Sequence, residues 1–279
     1  MSKSKGLVTY SQKTSELVSF GISRFKSGPR RIKMTHTQKI LIGTPTCWLY
    51  EYCLKEFAEA VASLTYPNYD ILLIDNSPDD KYLEKIKKSG LKAIKSPYHE
   101  GARDRIVASR NMLREYAIKN NYDYLLSLEQ DVIPPKDVIE KLIAIKQKIA
   151  SALYFNLNNK YEFPNLVEGT IELPLAYKLF SKDEQSKPFK EQLLRKLTKE
   201  DVSIKKKLLV RMTGLGCMLI HKDVLNKIPF DYYREYLSSD DRHFCDKATE
   251  YNIPIIVDTS IICRHLTAKR PFDWSKIKK

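Results

Sequence analysis

The chain has 279 residues, 43% of them apolar and 29% charged, with a formal net charge of +14. That length and apolar fraction suit one large α/β domain with a real core, and no apolar run approaches the ~20 residues that span a bilayer. The basic balance attracts phosphate in some form, whether nucleic acid, lipid headgroups or phosphorylated small molecules, or else makes a solubilising lysine-rich surface.

In chain order, residues 1–37 are basic and weakly patterned, with SGPRRIK as a linker. Leu17, Val18, Phe20, Ile22 and Phe25 fit one amphipathic helix, a tail element or a peripheral contact with anionic membrane. No apolar secretory core precedes it. The five cysteines, Cys47, Cys53, Cys217, Cys245 and Cys263, form no CxxC pair, so neither a zinc site nor a disulfide framework is expected. Both features fit a cytoplasmic protein, peripheral at the inner face of the membrane if the basic helix touches it.

From Lys39 strand and helix signals alternate. KILIGTP, YDILLIDNS, LKAIKSP and YDYLLSLEQD read as buried strands. LYEYCLKEFAEAVASL, KYLEKIKKSG, RDRIVASRNMLREYAIKNN and PKDVIEKLIAIKQ read as the helices between them. Four such alternations predict a parallel, doubly wound sheet, whose ligands sit at the carboxyl ends of the strands. Residues 155–208 break the pattern and are expected to form a lid-like excursion with one helix, PFKEQLLRKLTKED. LLVRMTGLGCMLIHKDVLNKI then reads as a strand–helix unit, SSDDRHFCDKATEYN as a helix with an acidic start, and IPIIVDTSIICRH as a strand pair.

The strand ending at Leu128 runs into Glu129 and Asp131. In an extended segment these two carboxylates point the same way and suit a hard divalent cation, Mg²⁺ or Mn²⁺. His265 closes another apolar strand, either as a further metal ligand or as a core histidine. Arg264, Lys269 and Arg270 beside it are candidates for phosphate oxygens. Asp240 and Asp241 stand in the first turn of a helix, where they either cap it or supply a general base. Gly214 and Gly216 allow close approach of backbone to a ligand.

In this order the motifs resemble those of the GT-A nucleotide-sugar glycosyltransferases, especially the inverting, family-2-like group. ILIGTP is similar to that family's first strand, LLIDNSPDD to its second, GARDRIVASRNMLREYA to its Ala-Arg-Asn helix, and LSLEQDVIPP to its Asp-x-Asp segment. SSDDRHFCDKATEYNIPIIVDTSIICRH resembles its Glu-Asp helix and the strand that ends in histidine. The resemblance covers residues 39–154 and 208–266. It implies a GT-A type fold: a Rossmann-like, mixed, mostly parallel sheet flanked by helices, spanning residues 38–268 between a basic extension (1–37) and a basic tail (269–279).

The resemblance also implies roles. Asp241 is the base and Asp240 its neighbour on the acceptor side. Thr44, Pro45, Asp75, Asn76, Arg110, Asn111, Glu129, Gly214 and Gly216 meet the nucleotide-sugar, and Asp131, Glu129 and His265 hold Mn²⁺ or Mg²⁺. Glu-Gln-Asp replaces Asp-x-Asp and Asp240 replaces a glutamate, so Asp131 is the firmer of the two metal candidates. The partners implied are a nucleotide-diphosphate sugar and a hydroxyl-bearing acceptor, whether glycan, lipid-linked or protein. Two rivals stand beside this reading. A nucleotidyltransferase would want a Lys-bearing loop where GTPTCWLYE has none. A basic nucleic-acid-binding module is not favoured, because no RRM, KH or zinc-knuckle signature appears, and no specific nucleic acid is expected.

Overall fold

Alternate residues of the central strands face opposite sides, and both sides are apolar, so helices must cover both. In the computed structural model, which describes residues 37–158, 171–179, 187, 194–204, 206–235 and 238–271, that requirement is met by an eight-stranded sheet between two helical layers. The expected N-terminal helix and most of the basic tail lie outside the described residues.

The first half runs β1 (Ile40–Thr46), α1 (Leu54–Ala62), β2 (Tyr69–Asp75), α2 (Lys81–Lys88), β3 (Ala93–Lys95), α3 (Ala102–Lys119), β4 (Tyr124–Leu128), β5 (Val132–Ile133), α4 (Val138–Ile143) and β6 (Ile149–Leu153). The excursion contributes β7 (Phe155–Asn158), β8 (Ile171–Pro174), β9 (Ala176–Leu179), β10 (Leu194–Lys196) and α5 (Lys199–Ser203). The chain returns through β11 (Lys207–Val210), β12 (Met212–Thr213), β13 (Cys217–His221), α6 (Lys222–Lys227), α7 (Asp240–Glu250), β14 (Ile255–Ile262) and β15 (Arg264–His265). The main sheet has the order β11-β14-β6-β13-β4-β1-β2-β3. β13 is antiparallel to both β4 and β6, and β11 to β14; the other pairings are parallel.

Ile40 and Ile42 of β1 pack with Phe57 of α1, Ile86 of α2 and Leu142 of α4. Leu41, from the same strand, packs with Leu113 of α3, Leu225 of α6 and Phe244 of α7. At Gly43 the neighbouring β4 and the α3 layer press so close that an added Cβ would stand 2.7 Å from Leu125 of β4 and 3.1 Å from Leu113 of α3. All five cysteines are free and buried, as small apolar residues of this core.

Several elements differ from their sequence signals. The helix expected over Leu49–Leu64 begins as a 3₁₀ turn, Trp48–Cys53, before α1. The helix expected across residues 188–201 is in its described part a strand, Leu194–Lys196, then the short α5. Thr198 caps α5 through a reciprocal box with Asp201, so the helix starts there, while β10 pairs with β9. The excursion is therefore partly β-structure: a three-stranded sheet, β10-β9-β12, and the pair β7-β8. β14 is one strand of eight residues with a register shift between Asp258 and Ile262.

Candidate active site

β4 stops at Leu128, and the next three residues form a turn whose side chains part. Gln130 turns into the buried face, where its Nε2 donates to Tyr82 Oη and to the Tyr50 carbonyl, each at 2.8 Å, and its Oε1 accepts from Thr46 at 2.5 Å. The chain turns here, with the Val132 N–H donating to the Glu129 carbonyl at 3.0 Å. Glu129 and Asp131 therefore stand at a turn and not in the extended segment expected, and each meets its own cationic partner.

Glu129 meets Arg110 from α3. The Arg110 guanidinium is 2% exposed, and it donates through Nη2 to Glu129 at 2.8 Å, through Nη1 to Ser127 at 2.8 Å and through Nε to Asp240 at 2.5 Å. One buried cation thus ties the end of β4 to the start of α7. Burial pushes the Glu129 carboxyl up, and the charge of Arg110 opposes that rise.

Asp241 follows Asp240 in the first turn of α7, where Ser239 is the N-cap. The helix is capped by that serine, so neither aspartate is spent on the role. Asp241 Oδ1 instead accepts from the Leu215 N–H at 3.0 Å. Desolvation first, then the charges of Asp240 and Glu129, raise its carboxyl to about 8, against the pull of Arg110 and the Leu215 amide.

Leu215 is placed by the glycines on either side. Tyr154, just beyond β6, accepts from the Gly216 N–H at 3.0 Å, and a Cβ on Gly216 would stand 2.6 Å from its hydroxyl oxygen. A Cβ on Gly214 would collide with the same hydroxyl. Both glycines serve the approach of Tyr154 within the protein. Tyr154 carries no motif of its own, and sequence reading missed it.

His265 reaches Asp131 because β15 pairs with β5, setting His265 opposite Val132. Its Nδ1 lies 2.9 Å from the Phe155 carbonyl, and its Nε2 lies 3.5 Å from Asp131 Oδ2. Burial would raise the Asp131 carboxyl, but His265 and Arg270 outweigh it and hold it low. Arg270 donates to Oδ2 through Nε at 3.1 Å and Nη2 at 2.5 Å, and Tyr52 lies 3.3 Å from the same oxygen. Asp131 Oδ1 is buried without a hydrogen-bond partner. An orphaned carboxylate oxygen beside an imidazole fits a divalent cation whose other ligands come from substrate phosphate and water. The expected three-residue set is nonetheless not assembled: Glu129 is taken by Arg110, and no cluster of three or more His, Cys, Asp or Glu suited to a metal occurs among the described residues. Arg264 and Lys269, read as phosphate ligands, pair instead with Glu56.

At the carboxyl ends of β1 and β2, Pro45, Thr46, Cys47, Asn76, Arg105, Arg110 and Glu129 line one cleft. Asp75 backs it, fully buried; its Oδ1 accepts from Ser77 and its Oδ2 from Lys95 at 2.8 Å. Asn76 donates to Ser109 at 3.0 Å. Thr44 lies deeper in β1, fully buried, and is not part of the cleft lining. Asn111 also departs from expectation: its amide donates to the Phe230 carbonyl at 2.8 Å and accepts from the Phe230 N–H at 3.0 Å, which docks α3 on the segment after α6. A larger cavity, about 600 Å³, opens at the opposite end of the sheet between Lys39, Tyr69, Lys92 and Tyr116, and none of the carboxylates above lines it.

Neither a protein-family model nor a curated protein sequence matches the chain. Solved structures do match. One is a mannosyltransferase, PcManGT from Pyrobaculum calidifontis, in complex with GDP-Man and Mn²⁺, at 11% identity and a TM-score of 0.53, over 85% of this chain and 59% of that one. Another is TarS of S. aureus, at 17% identity and a TM-score of 0.50, over 82% of this chain and 36% of that one. The chain has the GT-A glycosyltransferase fold. It spans less than two thirds of the length of either of these two proteins.

Proposed function

We propose that the chain transfers a sugar from a nucleotide-diphosphate donor to an acceptor hydroxyl, with inversion, and that Asp241 is the general base. The observation that carries this reading is the convergence of Asp241, Glu129, Asp131 and His265, from far-apart parts of the chain, through the Arg110 bridge and the β5–β15 pairing beside the strand-end cleft. The fold supports it, being shared with a mannosyltransferase solved with GDP-Man and Mn²⁺.

Asp241 accepts the acceptor's proton as its oxygen bonds to the anomeric carbon and the bond to the diphosphate oxygen breaks. A carboxyl raised to about 8 is a stronger base than an ordinary one, and its ionised, reactive fraction grows as pH rises toward that value. The Leu215 amide orients it, and Arg110 bridges Glu129 and Asp240 beside it. Asp131 and His265 are the residues that would hold Mn²⁺ or Mg²⁺, which when bound neutralises charge on the leaving diphosphate. Pro45, Thr46, Asn76 and Arg105 line the nucleotide side of the cleft. The acceptor is a hydroxyl of a glycan, a lipid-linked sugar or a protein, approaching past Asp241. The +14 charge favours anionic partners, including a membrane surface touched from one side. No helix among the described residues is long and apolar enough to cross a membrane.

The test is a thermal-shift screen of UDP, GDP and other nucleoside diphosphates with and without Mn²⁺, beside an assay of donor hydrolysis. A ligand that binds only the folded state raises the melting temperature. The expected result is a shift from one nucleotide, enlarged by Mn²⁺. Absence of any shift together with absence of donor turnover ends the proposal.

A further inference from the structure

The space between Asp131 and His265 is occupied by a side chain of the protein itself. Arg270 Nη2 stands 2.5 Å from Asp131 Oδ2 and 3.2 Å from His265 Nε2. The other ring nitrogen, Nδ1, faces the Phe155 carbonyl at 2.9 Å and so carries the proton. That leaves Nε2 with one lone pair, directed at Arg270. An sp² nitrogen with one lone pair either accepts from a guanidinium or ligates a metal, never both. A cation held by His265 Nε2 at about 2.0–2.2 Å would overlap the Arg270 nitrogen, whichever oxygen of Asp131 it takes, since both must lie along that lone pair.

We infer that Arg270 is the resident cation of the donor-free site and competes with divalent metal for Asp131 and His265. The inference rests on the metal reading given under the proposed function. It explains how Asp131, fully buried, tolerates its charge: the guanidinium supplies the opposite charge and two hydrogen bonds. It also gives a use to the turn that carries Arg270. The Leu266 N–H donates to the Asp131 carbonyl at 2.8 Å, and Lys269 pairs with Glu56 of α1 at 2.9 Å. Arg264 pairs with the same glutamate. These tethers fix the backbone on both sides of the turn and deliver the Arg270 side chain to the carboxylate. Metal has only to displace one side chain, not the segment.

Mn²⁺ binding by the full chain, without nucleotide, is measured by calorimetry and by electron paramagnetic resonance of the free ion. The forms compared are wild type, Arg270→Gln, Glu56→Gln and Asp131→Asn. Removing a competitor that makes charge-assisted bonds should tighten Mn²⁺ binding at least ~10-fold in Arg270→Gln. Glu56→Gln loosens the tether without touching the ligands, so it should shift affinity in the same direction by less; it also stands in for Arg270→Gln if that variant does not fold. Asp131→Asn should abolish binding. If Arg270→Gln and Glu56→Gln bind no more tightly than wild type while Asp131→Asn loses the ion, the competition is overturned and the metal reading survives. If Asp131→Asn binds as wild type does, or no form binds Mn²⁺, the metal reading falls and this inference with it. If wild type holds nucleoside diphosphate equally well in chelator and Arg270→Gln does not, Arg270 is a permanent substitute for the metal, and the competition is likewise overturned.

Discussion

The Leu215 N–H donates to Asp241 Oδ1 across 3.0 Å, joining the glycine turn before β13 to the first turn of α7. The bond aims the carboxylate, and in the proposed reaction its other oxygen takes the proton of the incoming hydroxyl. Asp241→Asn keeps the shape and removes the base. Transfer should fall by ~10²–10⁴, while nucleoside diphosphate binding, read as a thermal shift, stays at the wild-type level. Wild-type turnover in this variant would remove Asp241 from the role.

The same carboxyl sets a pH dependence. A base must be ionised to accept a proton, and burial with Asp240 and Glu129 raises the Asp241 carboxyl to about 8. The protonated, inactive form therefore dominates below that value, so kcat/KM should climb as pH rises and level off above about 8. A profile already flat from pH 5 to 9 would place the proton acceptor elsewhere.

Arg110 sits between Glu129 and Asp240 and is itself buried. Arg110→Met leaves two carboxylates beside Asp241 without their counter-charge, a loss of about 3–5 kcal/mol. The sign with pH follows from the direction of the shift. Uncompensated carboxylates have raised folded-state pKa values, so stability is retained at low pH and lost as pH rises above the ordinary carboxylate range. Chemical denaturation should find the variant closer to wild type at pH 5 than at pH 8.

Gly216→Ala drives a methyl group to 2.6 Å from the Tyr154 hydroxyl. Forced overpacking of this kind costs about 1–3 kcal/mol. Tyr154→Phe should recover part of that stability by removing the oxygen, and a double-mutant cycle would show the coupling. Independent, additive losses would mean that the glycine serves something other than Tyr154.

Asn111 makes both of its amide bonds to the Phe230 backbone. Asn111→Leu strands a buried N–H and C=O and should cost about 1–3 kcal/mol in unfolding free energy. If the side chain has no part in chemistry, the pH profile of the surviving activity is unchanged. A shifted profile would return Asn111 to the reaction.

The pairs that make the site differ in how far the chain announced them. Glu129 and Asp131 were visible at the end of an apolar strand, and Asp241 in the first turn of a polar helix, because side-chain period and position follow from the residues alone. The bond from Arg110 to Asp240 joins residues 130 apart, and nothing local in either segment encodes it. Tyr154 was hidden for a similar reason: its hydroxyl matters only because β13 lies beside β6. The helix read across residues 188–201 failed where Thr198 and Asp201 form a cap and Leu194 joins a strand, a contest decided by pairing partners.

By itself the sequence determined the alternation of strands and helices, the two apolar faces of the central strands, and the carboxylates at their ends. These depend on periodicity and local chemistry, which act over a few residues. Only the tertiary structure decided that Arg110 would bind two of those acids, that Asn111 would serve the scaffold, and that Arg270 would stand where a metal is expected. Each of those outcomes depends on which distant groups share one low-dielectric space. There a charge must find a partner, and the choice of partner belongs to the packing.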